Sequence, residues 1–192
     1  MIRKSEIEKI LKQCGAENRK AQKLVYEGYY ERYFVLCKRY LRSDDLATDA
    51  LNKMFYKVFT NIKKLQDPNM FEGWMKKICV NTCLNEIKKN KKHEHVDIEE
   101  NVSEISQVVT NQAFSNLAME ELLELVTRLP WRMRSVFNLY VIDGYKHQEI
   151  AEQLEISIGT CKFHLHQARI QLQEMIMDRM EVNQPKKVRS DG

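Results

Sequence analysis

The sequence predicts an all-α protein of two small helical domains joined by an acidic linker. Three observations carry this. Glycine and proline are scarce, 6 and 3 in 192 residues, which leaves little of the turn punctuation that a sheet protein needs. Apolar residues recur at steps of three and four rather than alternating, the period of an amphipathic helix. Charge is also unevenly divided. Residues 1–93 hold 21 Lys and Arg against 11 Asp and Glu, residues 94–128 hold 1 against 8, and residues 129–192 hold 9 against 8, within a net charge of +4. A basic front favours a polyanionic partner. The domains are placed at 1–93 and 116–180, with the linker at 94–115 and a disordered tail at 181–192 whose basic run is too short to read as an address.

The elements follow in order. Residues 19–41 (RKAQKLVYEGYYERYFVLCKRYL) read as an aromatic-rich helix. Residues 45–64 read as a second, with Asp44 or Asp45 near its positive end and a stripe of Leu46, Ala50, Met54, Val58 and Ile62. A turn at 66–69 contains Pro68. A third helix at 70–89 turns Trp74, Ile78, Leu84 and Ile87 inward. A fourth spans 116–128 and is stopped by Leu129-Pro130. A fifth, 131–142, ends at Asp143-Gly144.

The stretch 147–169, HQEIAEQLEISIGTCKFHLHQAR, reads as two short helices joined by a tight turn. Ile150, Ala151 and Leu154 face inward from the first, and Cys161, Leu165, Ala168 and Leu172 from the second. Ser157 is placed to cap the second helix, whose free N–H groups suit a DNA phosphate. Lys162, His164, His166 and Arg169 are assigned to its exposed faces. This is the pattern of a helix-turn-helix that lays its second helix in the major groove. The turn departs from the usual pattern: Glu155 stands where a left-handed Gly is common, at a cost of about 1 kcal/mol.

No apolar run approaches the roughly 20 residues that span a bilayer. The opening MIRKSEIEK lacks the apolar centre of a signal peptide. A cytoplasmic protein without membrane insertion is expected. The five cysteines (Cys14, Cys37, Cys79, Cys83 and Cys161) include no CxxC. Cys79 and Cys83 lie one helical turn apart, but no Cys or His at zinc-site spacing completes them, although His93 and His95 follow. Buried free thiols are expected, with no metal and no cofactor.

Three blocks in fixed order carry a resemblance over nearly the whole chain. The first is TDALNKMFYKVFTNI at 48–62, similar to E-D-x-x-Q-E-x-F. The second is FEGWMKKICVNTCLNEIKKNKK at 71–92, similar to F-x-x-W-L-x-x-I-x-x-N-x-x-x-D-x-x-R. The third, LPWRMRSVFNLYVIDGYKHQEIAEQLEISIGTCKFHLHQAR at 129–169, is similar to L-P-x-x-x-R-x-V-F-x-L-x-x-x-x-G-x-x-x-x-E-I-A-x-x-L. The chain resembles the sigma factors of RNA polymerase, in the compact extracytoplasmic-function group of the sigma-70 family.

The resemblance implies a subunit that directs promoter-specific initiation, with core RNA polymerase and promoter DNA as partners and an anti-sigma factor as a possible regulator. It implies docking on the polymerase β′ coiled-coil through Asp49, Asn52, Lys53 and Phe55. Asn52 replaces the usual Gln, and Lys53 reverses the charge of an acidic residue. Melted −10 DNA would be held by Lys63, Lys64, Lys76, Lys77, Lys88 and Lys89, with Asn69, Phe71, Asn81 and Asn85 near the bases, as single-strand binding requires. Asn85 stands for the usual Asp, and Lys88 and Lys89 for Arg, which suits phosphate contact better than bidentate base contact. Duplex −35 DNA would be read by Ser157, Thr160, Lys162, Phe163, His164, His166 and Arg169, with Phe163 suited to a thymine methyl. The β flap would meet the same domain and add affinity through effective concentration. The acidic linker would thread the basic RNA path of the polymerase as an RNA mimic. A conventional helix-turn-helix regulator is the alternative. An enzyme is not expected: the sequence offers no phosphate loop of the G-x-x-x-x-G-K type, no set of metal-binding carboxylates and no nucleophile with its base.

Overall fold

The computed structural model describes residues 4–91 and 119–182, and every described element is helical. The chain divides into two compact units, Met1–Asp97 and Ile98–Gly192. The linker expected at 94–115 lies outside the described residues; of the tail expected at 181–192, residues 181 and 182 belong to the last helix and the rest lies outside the described residues.

The front unit contains α1 (Lys4–Gly15), α2 (Arg19–Tyr40), α3 (Asp44–Asn61) and α4 (Phe71–Lys91). The opening helix α1 was not anticipated: among its described side chains it buries only Leu11 and Cys14, too sparse a stripe to stand out in sequence. It packs on α2 and on the short 3-10 turns Ile62–Lys64 and Pro68–Met70. Helix α2 starts where the Asn18 side chain accepts hydrogen bonds from Lys20 N (3.0 Å) and Ala21 N (3.1 Å), two of the donors that a helix start leaves unmatched. It buries Ala21, Val25, Tyr29, Tyr33, Cys37 and Tyr40 at steps of four and three. Ser43 caps α3, and Asp44 and Asp45 sit in its first turn, where negative charge favours the helix dipole.

Helices α2, α3 and α4 pack against one another pairwise. Glu72, at the start of α4, ties α4 to α2. Arg32 donates to its carboxylate at 2.7 Å, Tyr29 donates at 3.3 Å, and Tyr33 donates to its carbonyl at 3.0 Å. The expected inner face of α4 is only partly observed. Leu84 and Ile87 are buried, but Trp74 and Ile78 are half-buried. The deep positions are instead Phe71, Met75, Cys79, Val80 and Cys83, because α2 and α3 flank α4 on two sides and widen its buried arc.

The rear unit contains α5 (Met119–Arg128), α6 (Trp131–Phe137), α7 (His147–Leu154) and α8 (Ile158–Val182). The single helix expected at 131–142 changes character after Phe137. Asn138–Ile142 forms a π-turn closed by Asp143 N donating to Asn138 O at 2.8 Å. Gly144 then takes φ 77°, a conformation open to glycine at no steric cost. Helices α5, α6 and α7 all pack on α8, whose buried stripe runs Cys161, Leu165, Ala168, Leu172 and Ile176. Truncating a buried leucine such as Leu172 to Ala costs about 2–5 kcal/mol.

Candidate nucleic-acid interface

The corner that presents α7 and α8 is fixed first by Arg134. Its guanidinium is buried, and Nη1 donates to the carbonyls of Thr127 and Leu129, both at 3.1 Å. It thereby satisfies carbonyls at the end of α5, where a cation also suits the helix dipole. Arg134 is the arginine of the third sequence block, and its position in that pattern was the only signal of this role.

Helix α7 ends at Glu155, which takes φ 58° and ψ 45°. Its N–H, and that of Ile156 at 3.0 Å, both return to the Ala151 carbonyl. The left-handed residue expected at this turn is therefore present without glycine. At the other end of α7, Lys146 N donates to the Glu149 carboxylate at 2.7 Å. Ser157 Oγ accepts from Thr160 N at 2.9 Å and lies 2.8 Å from Thr160 Oγ1, so Ser157 caps α8 as its sequence position indicates.

The outward face of α8 carries exposed Gly159 and Lys162, with Phe163, His166 and Arg169 half-buried beside them. These positions share one helical face by their three- and four-residue steps. His164 does not belong to it. Only 6 % of it is exposed, which corrects its assignment to the groove. The physical reason is its spacing: three residues after Cys161 and four before Ala168, it falls on the buried stripe.

His147, not singled out from the sequence, supports this face from behind. Its ring stacks on Tyr140 with centroids 4.3 Å apart, and Nδ1 lies 3.3 Å from Cys161 Sγ. Burial first, and then the Lys162 and Arg169 charges, hold its imidazole below the ordinary 6.5. A neutral ring in this place keeps like charge away from the two cations.

In the front unit, Trp74, Lys77, Asn81, Asn85 and Lys88 follow steps of three, four, four and three along α4. All five are exposed or half-buried, and together they line one face. Lys76 and Lys89 fall off this line, and Lys89 lies 3.8 Å from Glu86 instead. Lys63 and Lys64 stand exposed on the 3-10 turn. Asn69 is exposed, and its backbone N and Nδ2 donate to the Asp67 carboxylate at 2.9 and 3.0 Å. Phe71 is corrected as a base contact. It is 1 % exposed and meets Tyr29 edge-on at 5.8 Å, because the first turn of α4 points it under α2.

On α3, Asp49 and Asn52 are exposed, and Tyr26 Oη donates to Asn52 Oδ1 at 3.5 Å. Lys53 reaches back to α4 and pairs with Glu86 at 2.9 Å. Lys57 follows it, donating to Thr82 Oγ1 at 3.1 Å. Phe55, named as a docking residue, is 2 % exposed with its ring 4.6 Å from Tyr26. It belongs to the core of the unit rather than to its surface.

Comparison with known proteins matches one family region to each unit. The Sigma-70 region 2 family matches residues 25–93, and the Sigma-70, region 4 family matches residues 119–172. The ECF RNA polymerase sigma factor SigW of Bacillus subtilis is 27% identical over 182 residues, covering 90% of this chain and 97% of its own. The ECF RNA polymerase sigma-E factor of Haemophilus influenzae is 22% identical over 173 residues, covering 85% and 91%. Among solved structures, the sigma factor RpoE of Bartonella quintana, in complex with the anti-sigma factor NepR, shares the fold. Its TM-score is 0.50 at 17% identity, over 84% of this chain and 98% of that one. No described helix is long and apolar enough to cross a membrane. With region 2 in the front unit and the region 4 helix-turn-helix in the rear unit, this chain belongs to the sigma-70 family of transcription initiation factors, in its extracytoplasmic-function group.

Proposed function

We propose that this protein selects promoters for core RNA polymerase by gripping DNA with both units. The rear unit reads duplex −35 DNA through Lys162, Phe163, His166 and Arg169, with Ser157 and Thr160 at the helix start facing phosphate. The front unit holds melted −10 DNA along the α4 face of Lys77, Asn81, Asn85 and Lys88, with Lys63, Lys64 and Asn69 beside it. Core polymerase docks against the outer face of α3, where Asp49 and Asn52 stand. The polymerase performs the chemistry, and this chain contributes recognition.

The observation that carries this reading is the pairing of two distinct polar, cationic helix faces on separately packed units of one chain. A conventional regulator needs only the second. Cations on such faces supply affinity that falls with salt, and the half-buried Trp74 at the end of the α4 face offers a stacking surface for an unpaired base. The anti-sigma partner named for the Bartonella protein suggests a regulator of the same kind here.

Run-off transcription with core polymerase and a pool of genomic promoters tests the reading. Specific transcripts are expected only when the protein is added. Tight, sequence-specific duplex binding by the protein alone, with no transcripts in the presence of core enzyme, would favour the conventional regulator.

A further inference from the structure

Three sulfurs meet inside the front unit. Cys37 Sγ of α2 lies 3.5 Å from Cys79 Sγ and 3.7 Å from Cys83 Sγ of α4, and all three lie within 4.8 Å of one another. Each side chain is 0 % exposed. Helical spacing accounts for the pair on α4, one turn apart. The third sulfur is 42 and 46 positions away in sequence and arrives only because α2 packs on α4.

The arrangement has the dimensions of a thiolate site. Metal–sulfur bonds of about 2.3 Å place sulfurs roughly 3.8 Å apart at tetrahedral angles and roughly 4.0 Å apart in a trigonal plane. The observed separations around Cys37 need to open by only a few tenths of an ångström. Hydrogen bonds from Cys79 and Cys83 pull the Cys37 thiol well below its ordinary range, while hydrogen bonds with Cys37 and Cys79, together with burial, push Cys83 up.

Ligand number selects the ion. Among the described residues no fourth Cys, His, Asp or Glu joins the group, whereas structural zinc sites are almost always four-coordinate. Soft thiolate ligands also suit copper(I), which two or three sulfurs satisfy.

We propose that Cys37, Cys79 and Cys83 form a binding site for a soft, thiophilic cation, copper(I) in preference to zinc(II), that staples α2 to α4. Each metal–thiolate bond forms from a sulfur lone pair as its thiol proton leaves to solvent, and nothing is oxidised or reduced. Occupancy therefore rises with pH. Entry requires a local opening between α2 and α4, since the sulfurs are closed from water.

The test uses the full chain, reduced and without oxygen, titrated with copper(I) held by a competing colorimetric chelator, with zinc(II) in a parallel arm. One equivalent of copper(I) should be withdrawn, with near-ultraviolet sulfur-to-copper absorption and a raised unfolding midpoint. Cys37→Ala should abolish this uptake, and Cys14→Ala/Cys161→Ala should keep it. Should Cys37→Ala fail to fold, thiol alkylation of the unmodified protein under partial denaturation decides. Copper(I) should protect Cys37, Cys79 and Cys83 and leave Cys14 and Cys161 reactive. Equal protection of all five or of none, unchanged uptake by a folded Cys37→Ala, tighter zinc(II) than copper(I) binding, or a Cys37–Cys79 disulfide forming in place of uptake would each overturn the proposal.

Discussion

Lys53 of α3 holds the Glu86 carboxylate of α4 at 2.9 Å, with the lysine half-exposed and the glutamate side chain 12 % exposed. The charge reversal that Lys53 shows against the family pattern of the first block thus has its compensating acid within the same unit. Together with the Lys57–Thr82 hydrogen bond, it forms a polar seam along the α3–α4 packing edge.

Restoring an acid at this position should therefore harm the fold. Lys53→Glu sets two carboxylates against each other beside a nearly buried group, and about 1–2 kcal/mol of front-unit stability should be lost. The charge-swapped pair Lys53→Glu/Glu86→Lys should recover most of it. Thermal unfolding of the two single variants and the double gives the coupling directly. An unaltered midpoint for Lys53→Glu would show that the pair contributes nothing, as many exposed pairs do.

Glu155 sits at φ 58°, where a side chain costs about 1–2 kcal/mol and glycine does not. Glu155→Gly should raise rear-unit stability by roughly 0.5–1 kcal/mol, the gain being reduced by the greater freedom of glycine in the unfolded chain. Glu155→Val should lower it by more than that, because a β-branched residue fits this conformation poorly. Chemical denaturation monitored through Trp131 fluorescence reads both.

The two sides of α8 should respond differently to truncation. Lys162→Ala and Arg169→Ala should weaken −35 duplex binding by roughly 1–3 kcal/mol each if they touch base edges, with little change in unfolding midpoint. His164→Ala should leave a cavity and lower the midpoint by about 2 kcal/mol or more. Binding measured below its unfolding temperature should then be nearly unchanged. Selective loss of binding by a stably folded His164→Ala would return His164 to the groove.

His147 sets a pH dependence. Its folded pKa lies below the ordinary 6.5 because burial and the Lys162 and Arg169 charges disfavour its proton. The unfolded chain then binds the proton more readily, so stability is full above about 6.5 and falls as pH drops through that value, levelling off below the folded pKa. His147→Gln removes the titrating group. The unfolding midpoint of the unmodified protein should decline more steeply between pH 7 and 5 than that of His147→Gln, and parallel curves would refute this.

Much of this molecule was legible one helix at a time. The all-α class, the helices near 19–41, 45–64 and 70–89, the inner stripe of α8 and the Ser157 cap all follow from local rules. Propensity, capping and the three-to-four-residue period act within one or two turns. Phe71 and His164 show the limit. His164 carried the spacing of a buried residue, but its polarity outweighed that spacing. Phe71 was placed near the bases by the resemblance, and only the packing of α2 over it shows that it is closed.

Sequence alone determined the helical class, most of the helices and that three family blocks stand in order. Tertiary structure alone decided the partners that join distant segments: Lys53 with Glu86 across 33 positions, Arg32 with Glu72 across 40, and Cys37 with Cys79 across 42. The reason is physical. A helical period fixes which face a side chain occupies, but the rotation and offset of one helix against another are set by how whole faces interlock. A lysine that looked surface-bound thus became an ion-pair partner, and an isolated cysteine became the third sulfur of a cluster.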